Sequence, residues 1–319
     1  MSEEQKTRGV SNMRTMPKRL QKGDTVGIIS PSSPPNLENL KKALPFLEEL
    51  GLKVKMGKSV EAKNGYLAGT DDERLADLHA MFEDPEVKGI ICAGGGYGAA
   101  RYADRIDYAM IKENPKIFWG YSDVTFLHNA IGMYAELVTF HGPMLASDVG
   151  KPEFHERSGR MFGQMFQPFE LHYDETISEL ETLASGMADG ELVGGNLSLI
   201  RGTLGTKFEI DTKDKILLIE DTGEEPYQVD EMLNQLKQAR KFEQVAGIVI
   251  GDFKNAEPKK PEQSWTLAQV LDDYFKELDV PVVKGFKIGH CEPHFSVPLG
   301  VKARLDANAK TLTILPGVE

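Results

Sequence analysis

The stretch Lys116-Ile117-Phe118-Trp119-Gly120-Tyr121-Ser122-Asp123-Val124-Thr125 decides how this chain is read. Its first half is a short apolar run of the kind that fills a buried strand, and it stops abruptly at Tyr121-Ser122-Asp123. Val124, Leu127, Ile131 and Tyr134 then recur at helical spacing. A buried strand that passes almost at once into an amphipathic helix is the repeating unit of a parallel sheet.

The same alternation extends in both directions. Residues 25–29 read as a first strand, ended by Ser30-Pro31-Ser32-Ser33-Pro34-Pro35. A helix follows, with Leu40, Ala43, Leu44, Leu47 and Leu50 on one face and Gly51 as its stop. Residues 52–56 predict a strand, and 74–82 a helix with Leu75, Leu78 and Phe82 facing inward. The strand 89–93 runs into Gly94-Gly95-Gly96-Tyr97-Gly98, and the strand 137–140 closes at His141-Gly142-Pro143. The rhythm predicts an α/β fold with a mostly parallel sheet.

From about residue 148 to 186 the rhythm is lost, and this stretch reads as a crossover between two domains. Beyond it, Gly190-Glu191-Leu192-Val193-Gly194-Gly195-Asn196 precedes strands at 216–219, 246–250 and 282–288. Two further strands, 301–305 and 311–315, flank the turn Asp306-Ala307-Asn308-Ala309. The expected organisation is a solvated tail (1–17), an N-terminal α/β domain (18–150), a crossover (151–186) and a strand-richer C-terminal domain (187–319).

Composition narrows the function classes. With 49 acidic against 37 basic side chains the formal charge is −12, which argues against general affinity for nucleic-acid backbones. The 40% hydrophobic content can fill a sizeable core. Cys92 and Cys291 are the only cysteines, which fits a reducing compartment and no disulfide framework. No apolar stretch approaches the roughly 18–20 residues that span a bilayer. The first twenty residues lack the apolar core of a secretory signal and carry early glutamates, so a cytoplasmic location is expected.

Ser122 is the first candidate for chemistry. At a tight strand-to-helix turn its hydroxyl stands above the sheet edge, and the helix N-terminus behind it offers unpaired N–H groups. A nucleophile whose attack creates an oxyanion needs both features. On this hexapeptide alone a plain N-cap serine is the favoured reading, and the second glycine of G-x-S-x-G is absent.

The 94–98 run also has two readings. Gly94, Gly96 and Ala99 match G-x-G-x-x-A, but not in the first strand–helix unit and without an acidic residue closing the next strand. Alternatively, its bare backbone amides face the same sheet edge as Ser122.

Glu220 directly follows the apolar run Ile216-Leu217-Leu218-Ile219, where a carboxylate needs a partner. It reads either as a salt-bridged structural residue or as the acid that orients an imidazole. Among seven histidines, His141 closes a strand at the same sheet edge, and His290 follows Lys287-Ile288-Gly289. His290, Cys291 and His294 superficially resemble zinc ligands, but Pro293 breaks any helix that would align them, and no metal is expected.

These pieces together resemble the LD-carboxypeptidase family of serine peptidases, which also includes enzymes giving immunity to microcin C7. The resemblance runs from about residue 24 to near the end of the chain. It rests on Ile29-Ser30-Pro31-Ser32, Gly95-Gly96-Tyr97-Gly98, Gly120-Tyr121-Ser122-Asp123, His141-Gly142-Pro143, Gly194-Gly195-Asn196-Leu197, Leu218-Ile219-Glu220-Asp221 and Gly289-His290 with Pro298-Leu299-Gly300, in that order. One departure is Gly94, where arginine is common in the family.

The resemblance implies a Rossmann-like or flavodoxin-like N-terminal domain carrying the serine, and a strand-rich C-terminal α/β domain carrying Glu and His. It implies Ser122 as nucleophile, Glu220 as acid and His290 as base. Backbone N–H groups of Asp123, Gly95 and Gly96 would form the oxyanion hole, and Tyr97, His141 and Asn196 would line the substrate pocket. The implied reaction releases a terminal D-alanine from murein tetrapeptides in cell-wall recycling, without cofactor, in a cytoplasmic homodimer. Hydrolysis of a peptidyl-nucleotide of the microcin C7 type by the same triad, or a non-catalytic ligand-binding module, are the alternatives. Arg101 and Arg201 are candidate partners for the substrate carboxylate that the sequence does not place.

Overall fold

The structure is a computed structural model and describes residues 14–319. The first half of the chain runs β1 (Thr25–Ile29), α1 (Leu37–Glu49), β2 (Lys53–Met56), α2 (Asp71–Glu83), β3 (Val87–Cys92), α3 (Tyr108–Glu113), β4 (Ile117–Gly120), α4 (Thr125–Tyr134) and β5 (Thr139–His141). The second half begins with α5 (Glu156–Arg160), β6 (Leu171–Tyr173), β7 (Glu181–Ala184), β8 (Met187–Asn196) and α6 (Leu197–Thr203). It continues through β9 (Lys215–Thr222), α7 (Pro226–Gln238), β10 (Gly247–Lys254), α8 (Leu267–Phe275) and β11 (Val282–Lys284). It ends with β12 (Val297–Leu299), β13 (Lys302–Asp306) and β14 (Thr311–Ile314).

The expected α/β architecture is present, as two sheets. In the first, of order β12-β5-β4-β3-β1-β2, the strands β1 to β5 are parallel and β12 is antiparallel to β5. The order 2-1-3-4-5 is that of flavodoxin-like sheets, in which the chain leaves β1 toward one edge and then returns to build the other. A crevice opens at that reversal, outside the carboxyl ends of β1 and β3, and ligands of such sheets bind there. The burial of β4 on both faces matches its unbroken apolar sequence.

The second sheet has the order β6-β14-β13-β8-β9-β10-β11-β7. Strands β8 to β11 are parallel, and the remaining strands add antiparallel pairs at both edges. The carboxyl ends of β8 and β9 carry Asn196 and Glu220 opposite one another. The strand expected over 282–288 ends at Lys284, because Gly285 turns the backbone to φ 102°.

Several stretches differ from their expected form. The irregular stretch after residue 148 holds α5, β6 and β7, and Phe162 from it stacks on Trp119 at 4.6 Å. Here aromatic packing and edge pairing, which leave no periodic trace, organise the chain. Strand β12 joins the first sheet although it lies late in the sequence, and Pro298 is tolerated there because an edge strand needs no second ladder.

Residues 14–17, expected in a solvated tail, are fixed. Thr15 pairs with Leu137, and Arg14 makes an ion pair with Glu191 at 2.6 Å. Residues 1–13 of that expected tail lie outside the described residues. Among the described residues, no helix is long and apolar enough to cross a membrane.

Candidate active site

Strand β4 delivers Tyr121 in extended conformation, and the chain then reverses at Ser122, whose φ is +63°. A β-carbon makes this left-handed geometry costly, by about 1–3 kcal/mol for a non-glycine residue. The surrounding contacts impose this geometry on Ser122 at the start of a short 3-10 turn, Ser122–Val124, that leads into α4.

The turn is tied to its neighbours through Asp123. Its buried carboxylate accepts hydrogen bonds from Ser32 Oγ at 2.5 Å and from the Ala99 N–H at 2.8 Å. Burial pushes the Asp123 carboxyl up, and these bonds pull it part of the way back. The Ser30-Pro31-Ser32 loop after β1 and the glycine run after β3 are therefore the walls against which Ser122 is set.

The glycine run answers to the second of its two readings. It follows the third strand, and it leads into a 3-10 turn, Ala99–Arg105, with no long helix to receive a pyrophosphate. A β-carbon at Gly95 would lie 3.0 Å from Ser122 Cβ and 3.2 Å from its Oγ, so only glycine lets this backbone touch the serine. Among the described residues, the N–H groups of Gly95 and Gly96 meet no protein acceptor.

Across the crevice, β9 carries Glu220 two residues before its C-terminal end, and the side chain is fully buried. His290 arrives on the loop after β11, where a β-carbon on Gly289 would stand 2.5 Å from Glu220 Oε2. With Nδ1 protonated, His290 donates to Glu220 Oε2 at 2.7 Å, and its Nε2 accepts the Ser122 hydroxyl at 3.1 Å. Burial disfavours the imidazolium, but the Glu220 charge and hydrogen bond, with the charges of Asp221 and Asp148, outweigh it, and His290 is held above the ordinary imidazole value. Burial likewise raises the Glu220 carboxyl, against the opposing pull of His290.

The three side chains thus form one hydrogen-bonded row, Ser122 from the first sheet and Glu220 and His290 from the second half. Tyr121 backs the row. Its ring lies 4.8 Å from that of His290, and its hydroxyl donates to Asp148 Oδ1 at 3.0 Å. The Asp148 carboxylate also accepts from the Met144 N–H at 2.8 Å.

A cleft of about 440 Å³ opens over the row. The first half lines it with Ser33, Gly94, Gly95, Gly96, Ser122 and Asp148, among others. The second half contributes Thr222, Lys254, Asn255 and His290–Glu292.

The three residues expected to line the substrate pocket do not line this cleft. His141 is fully buried behind Tyr121, 5.6 Å between rings, and its pKa falls well below the ordinary value because burial excludes the charged form. Asn196 is also buried; it caps α6 and donates to Asp221 Oδ1 at 3.0 Å, so it braces the loop beyond Glu220. Tyr97 is exposed beside the cleft, with its ring against Tyr66 at 5.8 Å.

Among the described residues, the zinc-like spacing at 290–294 gathers no ligand set. His290 is committed to Glu220 and Ser122, whereas His294 is buried against Tyr121, with its pKa lowered by burial to about 3. Arg101 pairs with both oxygens of Asp71, and Arg201 is shared between Gln235 and Glu231.

The sequence reading missed Asp148, Lys151, Thr222, Lys254, Asn255 and Glu292 as cleft residues. Lys254-Asn255 carries the same signal that singled out Glu220, a polar residue ending a buried parallel strand. Asp148 lies in an irregular stretch with no periodicity to mark it.

Comparison with known proteins agrees with this geometry. Residues 26–142 match the LD-carboxypeptidase N-terminal domain, and residues 189–305 match the LD-carboxypeptidase C-terminal domain. A "Probable murein peptide carboxypeptidase" of Bacillus subtilis (strain 168) is 55% identical over 311 residues, covering 98% of each chain. The structure of MccF in complex with glutamyl sulfamoyl guanosine superposes with a TM-score of 0.85 at 26% identity, over 94% of this chain and 98% of that one. The muramoyltetrapeptide carboxypeptidase from Oxalobacter formigenes superposes with a TM-score of 0.82 at 26% identity, over 91% and 97%.

Proposed function

Because this chain belongs to the LD-carboxypeptidase family, we propose that it releases the terminal D-alanine from murein tetrapeptides, using Ser122, His290 and Glu220 as its catalytic residues. It is a serine peptidase, and the observation that carries the proposed roles is the row of hydrogen bonds from Ser122 through His290 to Glu220. His290 Nε2 takes the hydroxyl proton as Ser122 Oγ attacks the carbonyl carbon of the scissile bond. Glu220 stabilises the imidazolium that forms.

The tetrahedral oxyanion sits between the turn at 122–123 and the glycine run, where the N–H groups of Asp123, Gly95 and Gly96 stabilise it. The imidazolium then protonates the departing D-alanine amine. Water, activated by the same imidazole, attacks the acyl-enzyme and restores the serine. The substrate lies along the cleft between the two sheets. The enzyme acts as a cytoplasmic homodimer in peptidoglycan recycling, a setting consistent with its two unpaired cysteines.

Incubation with a murein tetrapeptide should release D-alanine. A fluorophosphonate should label Ser122, with labelling lost in Ser122→Ala and reduced in His290→Ala. Turnover of a peptidyl-nucleotide alone would replace the murein substrate by the microcin-type one. Tight ligand binding without labelling would make the protein a non-catalytic module.

A further inference from the structure

We infer that Lys254, with Thr222 and Asn255, binds the terminal carboxylate of the substrate, an assignment that rests on the carboxypeptidase reading above. An exopeptidase must recognise a free carboxylate next to the bond it cuts. In an open, hydrated cleft this takes a cation or several converging donors.

Few cations are available. Arg101 and Arg201, the candidates raised by the sequence, are consumed by Asp71 and by Gln235 and Glu231, and neither lines the cleft. Among the described residues, the lysines that line it are Lys151 and Lys254. Lys151 lies between Asp148 and Glu153 in sequence, both of them cleft residues, and its N–H is bonded to Asp148 O at 2.9 Å. A substrate carboxylate approaching Lys151 meets two charges of its own sign.

Lys254 has a different setting. In the β9–β10 register it stands opposite Thr222, which is two residues beyond Glu220 and so on the same face of β9. The Gly223 N–H donates to Lys254 O at 2.8 Å, which holds the two strand ends together. Asn255 follows with φ +55°. Among the described residues, the side chains of Thr222, Lys254 and Asn255 make no hydrogen bond or ion pair with other protein groups. The neighbouring Asp221 is turned away, accepting from Asn196 and Ser198. The cluster therefore offers an ammonium, a hydroxyl and an amide, and these are the donors a carboxylate requires.

The test compares a murein tetrapeptide with the same peptide carrying a C-terminal amide. Lys254→Met should lower kcat/KM for the free acid about tenfold, or about 1.4 kcal/mol, through KM, while the amide changes little. Lys254→Arg should keep most of the preference for the acid, and Lys151→Met should leave the acid-to-amide ratio as it is. A ratio unmoved by Lys254→Met, or lost in Lys151→Met instead, overturns the assignment. Binding of both peptides to the Ser122→Ala protein reads the same ratio without turnover. No hydrolysis by the unaltered protein, together with a Lys254-dependent preference in binding, would refute the proposed reaction and leave the carboxylate site standing.

Discussion

Glu220→Gln removes a charge and almost nothing else. The side chain is fully buried and the amide has nearly the same volume, so the fold should survive. The lost interaction is that between the carboxylate and the imidazolium, whose bonded atoms are 2.7 Å apart. For charge centres about 4 Å apart at an effective dielectric constant of about 20, the attraction is about 4 kcal/mol. At about 1.36 kcal/mol per decade, kcat should fall about 10³-fold. If the glutamine amide donates to Nδ1, Nε2 carries the proton and cannot accept from Ser122, and the loss approaches about 10⁴-fold.

KM should change little, because Glu220 does not line the cleft. The pH profile adds an independent readout. The base must be neutral, and Glu220 holds the His290 pKa above its ordinary value, so kcat/KM of the unaltered enzyme should fall as pH drops through a value above about 6.5. In Glu220→Gln the largest influences opposing burial are gone and only the charges of Asp221 and Asp148 still raise the imidazole, so the acid limb should move to lower pH. Steady-state kinetics of D-alanine release across pH measure both. A loss in kcat under about tenfold, an effect confined to KM, or an acid limb that moves upward would refute the triad.

Two further substitutions probe the turn itself. Gly95→Ala would place a methyl group 3.0 Å from Ser122 Cβ and 3.3 Å from Met144 Cε. It should cut kcat by about 10²-fold or more by displacing an oxyanion donor, while urea denaturation changes by about 1–3 kcal/mol; an unaltered kcat would remove the glycine run from the oxyanion hole. Ser122→Gly should abolish fluorophosphonate labelling and yet stabilise the protein by about 1 kcal/mol, because glycine adopts φ +63° without strain. A lower urea midpoint than that of the unaltered protein would show that the turn is not strained.

Much of the fold was legible along the chain. The alternation from β1 to β5 and the strand-to-helix break at Ser122 appear in the sequence because apolar periodicity and turn stereochemistry are local properties, written residue by residue. Ser122, Glu220 and His290 were legible one at a time, each as a polar residue where a buried strand or its following loop ends. Their role as a set came from resemblance to a family.

Tertiary structure alone decided the rest. It brought the three side chains within hydrogen-bond reach, moved β12 into the first sheet, and withdrew His141 and Asn196 from the pocket to which their motifs had assigned them. It also set Lys254 and Thr222 side by side at the cleft. These outcomes depend on distances between residues far apart in the chain. Such distances follow from how two sheets pack and which charges find partners, and no local pattern of side chains encodes them.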